Sequence, residues 1–282
     1  MKMFLECYAC AARQTLQALR EAGVEESRHK EILNRILQAL IDLDPALTPP
    51  EFGAHIHAII REEAGCEDPY RKIKRKSTEE ALKLYPELKT LIEDSEDPID
   101  TATRLCIAGN IIDLGAANKY DLEGTIERVL SQPYATDDFP GFKQQVREAE
   151  SILMLADNAG ETVFDRLFIE TIGKPVTYAV KEAPCINDAT MEDARQAGLD
   201  TVAEVISCGA QAPATILKWC SPEFLKIYDR TGLVIAKGMG NYEALSQEDR
   251  HLYFLLQVKC DMVARDIGAP AGSIVVKRSA GD

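Results

Sequence analysis

Residues 151–165 read SILMLADNAGETVFD. The run Ile152–Ala156 is apolar without alternation and ends abruptly on Asp157-Asn158. A short continuous apolar run bounded by polar residues is the pattern of a strand buried on both faces, as in parallel sheets. Gly160 and Glu161 then open a stretch with helical spacing over 161–173. The segment therefore reads as a strand, a tight polar turn and a helix. Asp157 and Asn158 have two readings at such a place: caps for the helix, or ligands at the carboxyl end of a strand, where open parallel sheets bind what they bind.

Outward from that segment toward the C-terminus, short β-rich runs alternate with helical ones. PVTYAV (175–180), TVAEVIS (201–207), LVIAKG (233–238) and SIVV (273–276) are expected strands, and 191–197, 213–219 and a long stretch near 245–267 are expected helices. That rhythm predicts a mainly parallel sheet covered by helices on both faces. Toward the N-terminus the period changes. Residues 3–22, 26–43, 50–65, 78–93 and 98–114 carry apolar side chains at helical spacing, the last expected to break at Gly109, and no strand is expected before about residue 150. The fold class is thus α/β: an α-helical domain over 1–140 followed by a three-layer α/β/α domain over 141–282, with the boundary near QPYATDDFPG.

Composition narrows the function. A formal net charge of −14 disfavours nucleic acid as a partner, since its phosphates demand a basic surface. No apolar run approaches the roughly 18 residues of a membrane span. The opening MKMFLECYACAARQ lacks the long apolar segment of an export signal, so a cytoplasmic location without membrane association is expected. Eight cysteines in that setting read as thiols or metal ligands rather than a disulfide framework.

An acidic protein that handles an anion needs a local trap: a cation, a lysine or a helix N-terminus. The expected strand ends supply the parts. Asp157 and Asn158 follow the first strand, and Asp188 lies in KEAPCINDAT after the second. The small-residue loop CGAQAPAT follows the third, and KGMGNYEAL, with Lys237, Gly238, Gly240, Asn241 and Glu243, follows the fourth. Carboxylate and amide oxygens suit a hard divalent ion, and small-residue loops at helix starts suit phosphate. A metal plus an oxyanion is what phosphoryl transfer requires. KGMGNYE is neither a P-loop nor a GxGxxG fingerprint, so nucleotide cofactors are disfavoured.

The stretches ECYACAARQ, DPYRKIK, IAGNIID, LADNAGETVFD, INDAT, KGMGNYEAL and VKCDMVARDIG, in this order between residues 6 and 268, resemble the metal-dependent damage-control phosphatase family (ARMT-like, formerly a domain of unknown function), in its stand-alone microbial branch with an N-terminal CxxC. The resemblance implies a helical N-terminal part, a Rossmann-like domain, and one divalent metal (magnesium, manganese, cobalt or nickel) held by Asp157, Asn158 and Asp188. It implies a small phosphorylated metabolite as substrate, such as a sugar phosphate, possible damage products included. The nucleophile is either metal-bound water or the Asp157 carboxylate. The chain departs from the pattern at Ala214, where a glycine is expected.

Other residues complete the expected site. Glu161 orients the attacking water or favours the helix start, and Lys259 balances phosphate charge or pairs on a helix face; with Asp157 these are the catalytic candidates. Asn110, Asp113, Gly160, Gly240, Asn241 and Glu243 are the substrate-binding candidates, and Arg61 and DPYRKIK a source of local positive potential. Cys7 and Cys10 form a CxxC without a second pair, and His29, His55, His57 and His251 lack ligand spacing, so helix packing is the expected role of the two cysteines. Two other functions fit less well: an S-adenosylmethionine-dependent carboxyl methyltransferase, for which no glycine-rich adenosyl loop is present, and a non-catalytic metal- or phosphate-binding module.

Overall fold

The computed structural model describes residues 1–44, 46–111, 122–136 and 138–279, with the side chains of residues 110, 111, 122 and 123 outside the description. Among the described residues, seven helices come first: α1 (Leu5–Glu21), α2 (Glu26–Asp42), α3 (Pro49–Ala64), α4 (Arg71–Glu93), α5 (Pro98–Ile111), α6 (Leu122–Ser131) and α7 (Phe139–Glu148). Then β1 (Ile152–Leu155), α8 (Thr162–Ile172), β2 (Val176–Val180), α9 (Met191–Gln196), β3 (Glu204–Ser207), α10 (Pro222–Arg230), β4 (Leu233–Lys237), α11 (Gly238–Leu245), β5 (Leu252–Gln257), α12 (Asp261–Ile267) and β6 (Ile274–Arg278) alternate.

The strands form one sheet in the order β3-β2-β1-β4-β5-β6, parallel except for β6, which runs antiparallel to β5. The chain builds outward from β1 to β3, then returns to the other side of β1 to lay down β4. The order reverses between β1 and β4, so the crevice at their carboxyl ends is the topological switch point where such sheets bind ligands.

Alternate side chains explain the three layers. Ile152, Met154, Tyr178, Ile235 and Leu255 enter a core shared with α4, α5, α7 and α8, while Leu153, Leu155, Val234, Phe254 and Leu256 enter a second core under α10, α11 and α12. Both faces of the sheet are buried, which is why its strands read as unbroken apolar runs. The first core crosses residue 140 without a break, joining Leu88 and Leu105 to Phe142, Phe164 and Tyr253. Helices α1 to α3 pack a separate cluster that includes Leu19, Ile36 and Ile60.

Several local readings are corrected. The stretch 245–267 is β5 followed by α12, not one helix. LYFLLQ is buried along its whole length, so it has no alternation to distinguish it from a buried helix segment. Residues 213–219 hold only a 3-10 turn at Leu217–Trp219; the helix of this crossover is α10, started by Ser221, whose Oγ accepts from Phe224 N (3.2 Å), with Pro222 behind it. Helix α4 begins at Arg71, so the basic stretch is helical. Gly109 does not break α5. A Cβ there would come within 2.9 Å of the Phe164 ring, and the missing side chain lets α8 pack closely. Among the described residues no helix is long and apolar enough to cross a membrane.

Candidate active site

Main-chain pairing assembles the centre. Beyond β1 the chain makes an antiparallel bridge between Asn158 and Asp188. Ala189 N donates to Asp157 O (2.8 Å), and Ala159 N donates to Asn187 O (2.9 Å). Asp157, Asn158 and Asp188 are brought together by this ladder, and all three line one cavity of about 320 Å³ at the carboxyl edge of the sheet. Its walls also include Pro50, Phe52 and Ile56 of α3, Ala214, and Met239, Gly240 and Glu243 of α11.

Side-chain bonds set the orientation of the amide. Asn158 Nδ2 donates to Asp157 Oδ2 (2.9 Å) and Glu161 Oε2 (3.3 Å), and Asn158 N lies 3.4 Å from the same Glu161 oxygen. With the nitrogen committed inward, the carbonyl oxygen of Asn158 is the atom left to act as a ligand. Asp188 Oδ2 accepts from Ala214 N (3.1 Å) and lies 3.6 Å from Lys181 Nζ, which donates to Ala156 O (3.0 Å).

Behind Glu161 lies a buried charged network. Lys237 Nζ donates to Glu161 Oε1, to Asp165 Oδ1 (2.5 Å) and to Cys106 O (3.0 Å), and Tyr178 Oη donates to Asp165 Oδ2 (2.6 Å). Lys237, Glu161 and Asp165 are wholly buried. One ammonium serves two carboxylates, which holds Glu161 rigidly against Asn158.

The electrostatics favour a bound cation. Burial, reinforced by Glu161 and Asp188, pushes the Asp157 carboxyl well above its usual range, against the opposing Lys181 and Lys259. Burial likewise raises Asp188, while Lys181, the Ala214 amide and Lys74 hold it down. Among the described residues no group of three His, Cys, Asp or Glu side chains is placed to hold a metal. The donor set here is instead two carboxylates and one amide oxygen, all hard oxygen ligands, and it fits a hexacoordinate divalent ion that keeps several waters.

The remaining expected residues fall into distinct places. Gly240 and Glu243 line the cavity; burial pushes the Glu243 carboxyl up to about 7. Gly160 is buried against α4, where a Cβ would sit 2.9 Å from Ser77 Cβ. Asn241 is fully buried beneath the cavity floor. Its Oδ1 accepts from Thr215 N (2.7 Å), and its Nδ2 donates to Lys237 O (2.7 Å) and Ala156 O (3.1 Å), so it joins β1, β4 and the 213–215 turn. Lys259 is exposed in the loop before α12 rather than on a helix. Asn110 lies in α5 with its side chain outside the described residues, and Asp113 lies wholly outside them. Of the basic stretch, Lys74 is buried between Asp68 (3.2 Å) and Asp193 (2.8 Å), tying α4 to α9. Cys7 and Cys10 are half-buried and, with Cys260, line the same cavity rather than a helix interface alone.

Two contributors went unread in the sequence, Lys181 and Asp165. Lys181 follows β2 directly, the same strand-end position that singled out Asp157. Ala214 has φ +75°, the left-handed region that favours glycine, and this is the position where the family pattern expects one.

Comparison with known proteins places the chain in a family. The model of the damage-control phosphatase ARMT1-like domain matches residues 3–275. A damage-control phosphatase of Pyrococcus horikoshii is 35% identical over 99% of both chains. One from Archaeoglobus fulgidus is 36% identical over 80% of this chain and 81% of its own. The crystal structure of a DUF89 family protein from Pyrococcus horikoshii superimposes with a TM-score of 0.91 at 33% identity, covering 99% of each chain. The chain belongs to the damage-control phosphatase ARMT1-like family.

Proposed function

We propose that this chain is a metal-dependent phosphatase acting on a small phosphorylated metabolite, such as a sugar phosphate. The observation that carries the reading is the convergence of Asp157, Asn158 and Asp188 at the switch point, in a cavity of about 320 Å³. That volume lies at the small end of ligand pockets. One divalent ion of the magnesium, manganese, cobalt or nickel kind, held by those three side chains, would supply Lewis acidity and offset the charge of a phosphate among carboxylates.

The chain's own residues do the rest. Main-chain N–H groups at the start of α11, where Met239 and Gly240 face the cavity, have no intrahelical acceptor and suit phosphate oxygens. Glu161, gripped by Lys237, fixes the Asn158 amide. The apolar wall from α3 excludes water around the organic part of the substrate.

The test is turnover of an aryl phosphate, then of sugar phosphates, nucleotides and phosphopantetheine-like compounds, after chelation and after return of each of the four metals. Activity is expected to vanish with chelator and return with metal. Asp157→Ala is expected to lose more than about 100-fold in kcat, beyond the range for groups that merely orient ligands, while its circular dichroism stays native. Full activity in chelator, or in Asp157→Ala, would refute the assignment. Calorimetric binding of S-adenosylmethionine without phosphate release would favour methyl transfer instead.

A further inference from the structure

The crossover between β3 and α10 carries two thiols that the phosphatase chemistry leaves unused. Cys208 follows β3 and is buried; Cys220 ends the 3-10 turn before α10 and is half-buried. The main chain presses them together. Ser221 N donates to Cys208 O (3.0 Å), and at Gly209, with φ +80°, a Cβ would stand 2.7 Å from Ser221 N. That hydrogen bond puts the two cysteine Cα atoms about 5–6 Å apart, within the span of a disulfide.

The thiols also meet each other. Cys220 Sγ lies 3.4 Å from Ile216 O, Cys208 Sγ lies 3.9 Å from Ala210 O, and each thiol shifts the titration of the other. The Cys220 thiol, helped by nearby Lys181, draws the Cys208 thiol down to about 6 against the effect of burial, while Cys220 is pushed up. The loop they bracket matters to the site, because Ala214 N holds Asp188 and Thr215 N holds Asn241.

We propose that Cys208 and Cys220 form a reversible disulfide that staples the base of the 209–219 loop, with a small hydroperoxide as the oxidant. The Cys208 thiolate attacks the peroxide oxygen, the O–O bond breaks, and the departing hydroxide takes a proton to become water. The Cys220 sulfur then attacks the resulting sulfenic acid. An S–S bond forms, the S–O bond breaks, and the Cys220 proton leaves with hydroxide as a second water. Two electrons pass from the thiols to the peroxide, and a dithiol reductant reverses the change.

The experiment is hydrogen peroxide treatment of the full chain, then thiol alkylation, trypsin digestion and mass spectrometry. Two of the eight thiols are expected to resist alkylation, with a cross-link joining peptides 196–218 and 219–226 that dithiothreitol removes. The thermal midpoint is expected to rise by several degrees on oxidation. Cys220→Ser is expected to lose the cross-link and leave Cys208 as a sulfenic acid captured by dimedone. Eight alkylatable thiols after treatment, or a cross-link mapped elsewhere, such as Cys7 to Cys10, overturns the proposal.

Discussion

Replacing Asp157 by Asn should abolish turnover and yet make the metal-free protein more stable. Asp157 and Asp188 both have carboxyls raised by burial, and the nearby Asp188 pushes Asp157 up further. A carboxyl whose folded pKa lies above its unfolded value destabilises the fold once pH passes the unfolded value, and the cost grows until pH passes the folded one. Metal-free protein should therefore lose stability as pH rises from about 4. The bridge pairs Asn158 with Asp188, which leaves Asp157 diagonal to Asp188 at roughly 5–6 Å. At an effective dielectric near 20, two unit charges at that distance repel by about 3 kcal/mol. Lys181, 3.6 Å from Asp188, offsets part of this. Asn keeps the shape and can still accept from Asn158 Nδ2. A net gain of about 1–2 kcal/mol remains, or roughly 2–4 °C in a chain of this size. Scanning calorimetry in chelator from about pH 3.5 to pH 8 measures it. The gain should be near zero at the acid end and grow with pH, and manganese should raise the melting point of the native chain far more than that of the variant. Destabilisation by Asp157→Asn at every pH, or a gain that does not change with pH, would refute the electrostatic reasoning.

Lys237→Met should cost about 3–5 kcal/mol in urea unfolding, because Glu161 and Asp165 are left buried without their cation. A loss under about 1 kcal/mol would mean that the network is not charged as drawn. Gly160→Ala should cost about 1–3 kcal/mol by forcing α4 away through the Ser77 contact, with thermal melts as the readout. An unchanged melting point would show that Ser77 yields freely. Ala214→Gly should raise stability by at most about 1 kcal/mol, since relief of the backbone strain at φ +75° outweighs the lost methyl burial and the freer unfolded chain, and a drop in midpoint would contradict that account.

What was legible followed from position along the sheet. An apolar run cut off by Asp157-Asn158 and followed by a helix start read as a buried strand ending in polar ligands or caps, and three further strand ends gave the same picture. The parallel core β1, β2 and β4, and the meeting of Asp157, Asn158 and Asp188, rest on that local signal. The failures have the opposite cause. Leu252–Gln257 is buried on both faces and flanked by helices, so periodicity carries no strand signature there. Asn241, read as part of a glycine-flanked loop, lies in α11, and two of its three main-chain partners, Thr215 N and Ala156 O, are too distant in sequence to leave a local trace.

Lys181 and Lys237 show how the same positional rule reaches further than the carboxylates. Both are last or next residues of buried strands, where an unpaired ammonium would cost several kcal/mol. Their presence there requires anionic partners, and the partners are Asp188 for one, Glu161 and Asp165 for the other. Set against Asp157, Glu161, Asp165 and Asp188, the two buried ammoniums leave the carboxyl edge of the sheet with more negative than positive charge, and Lys259 faces it only from an exposed loop. A fold selected for stability alone would neutralise that excess with a third lysine or an asparagine. On the reading proposed above, a divalent ion bound at Asp157, Asn158 and Asp188 would relieve that repulsion.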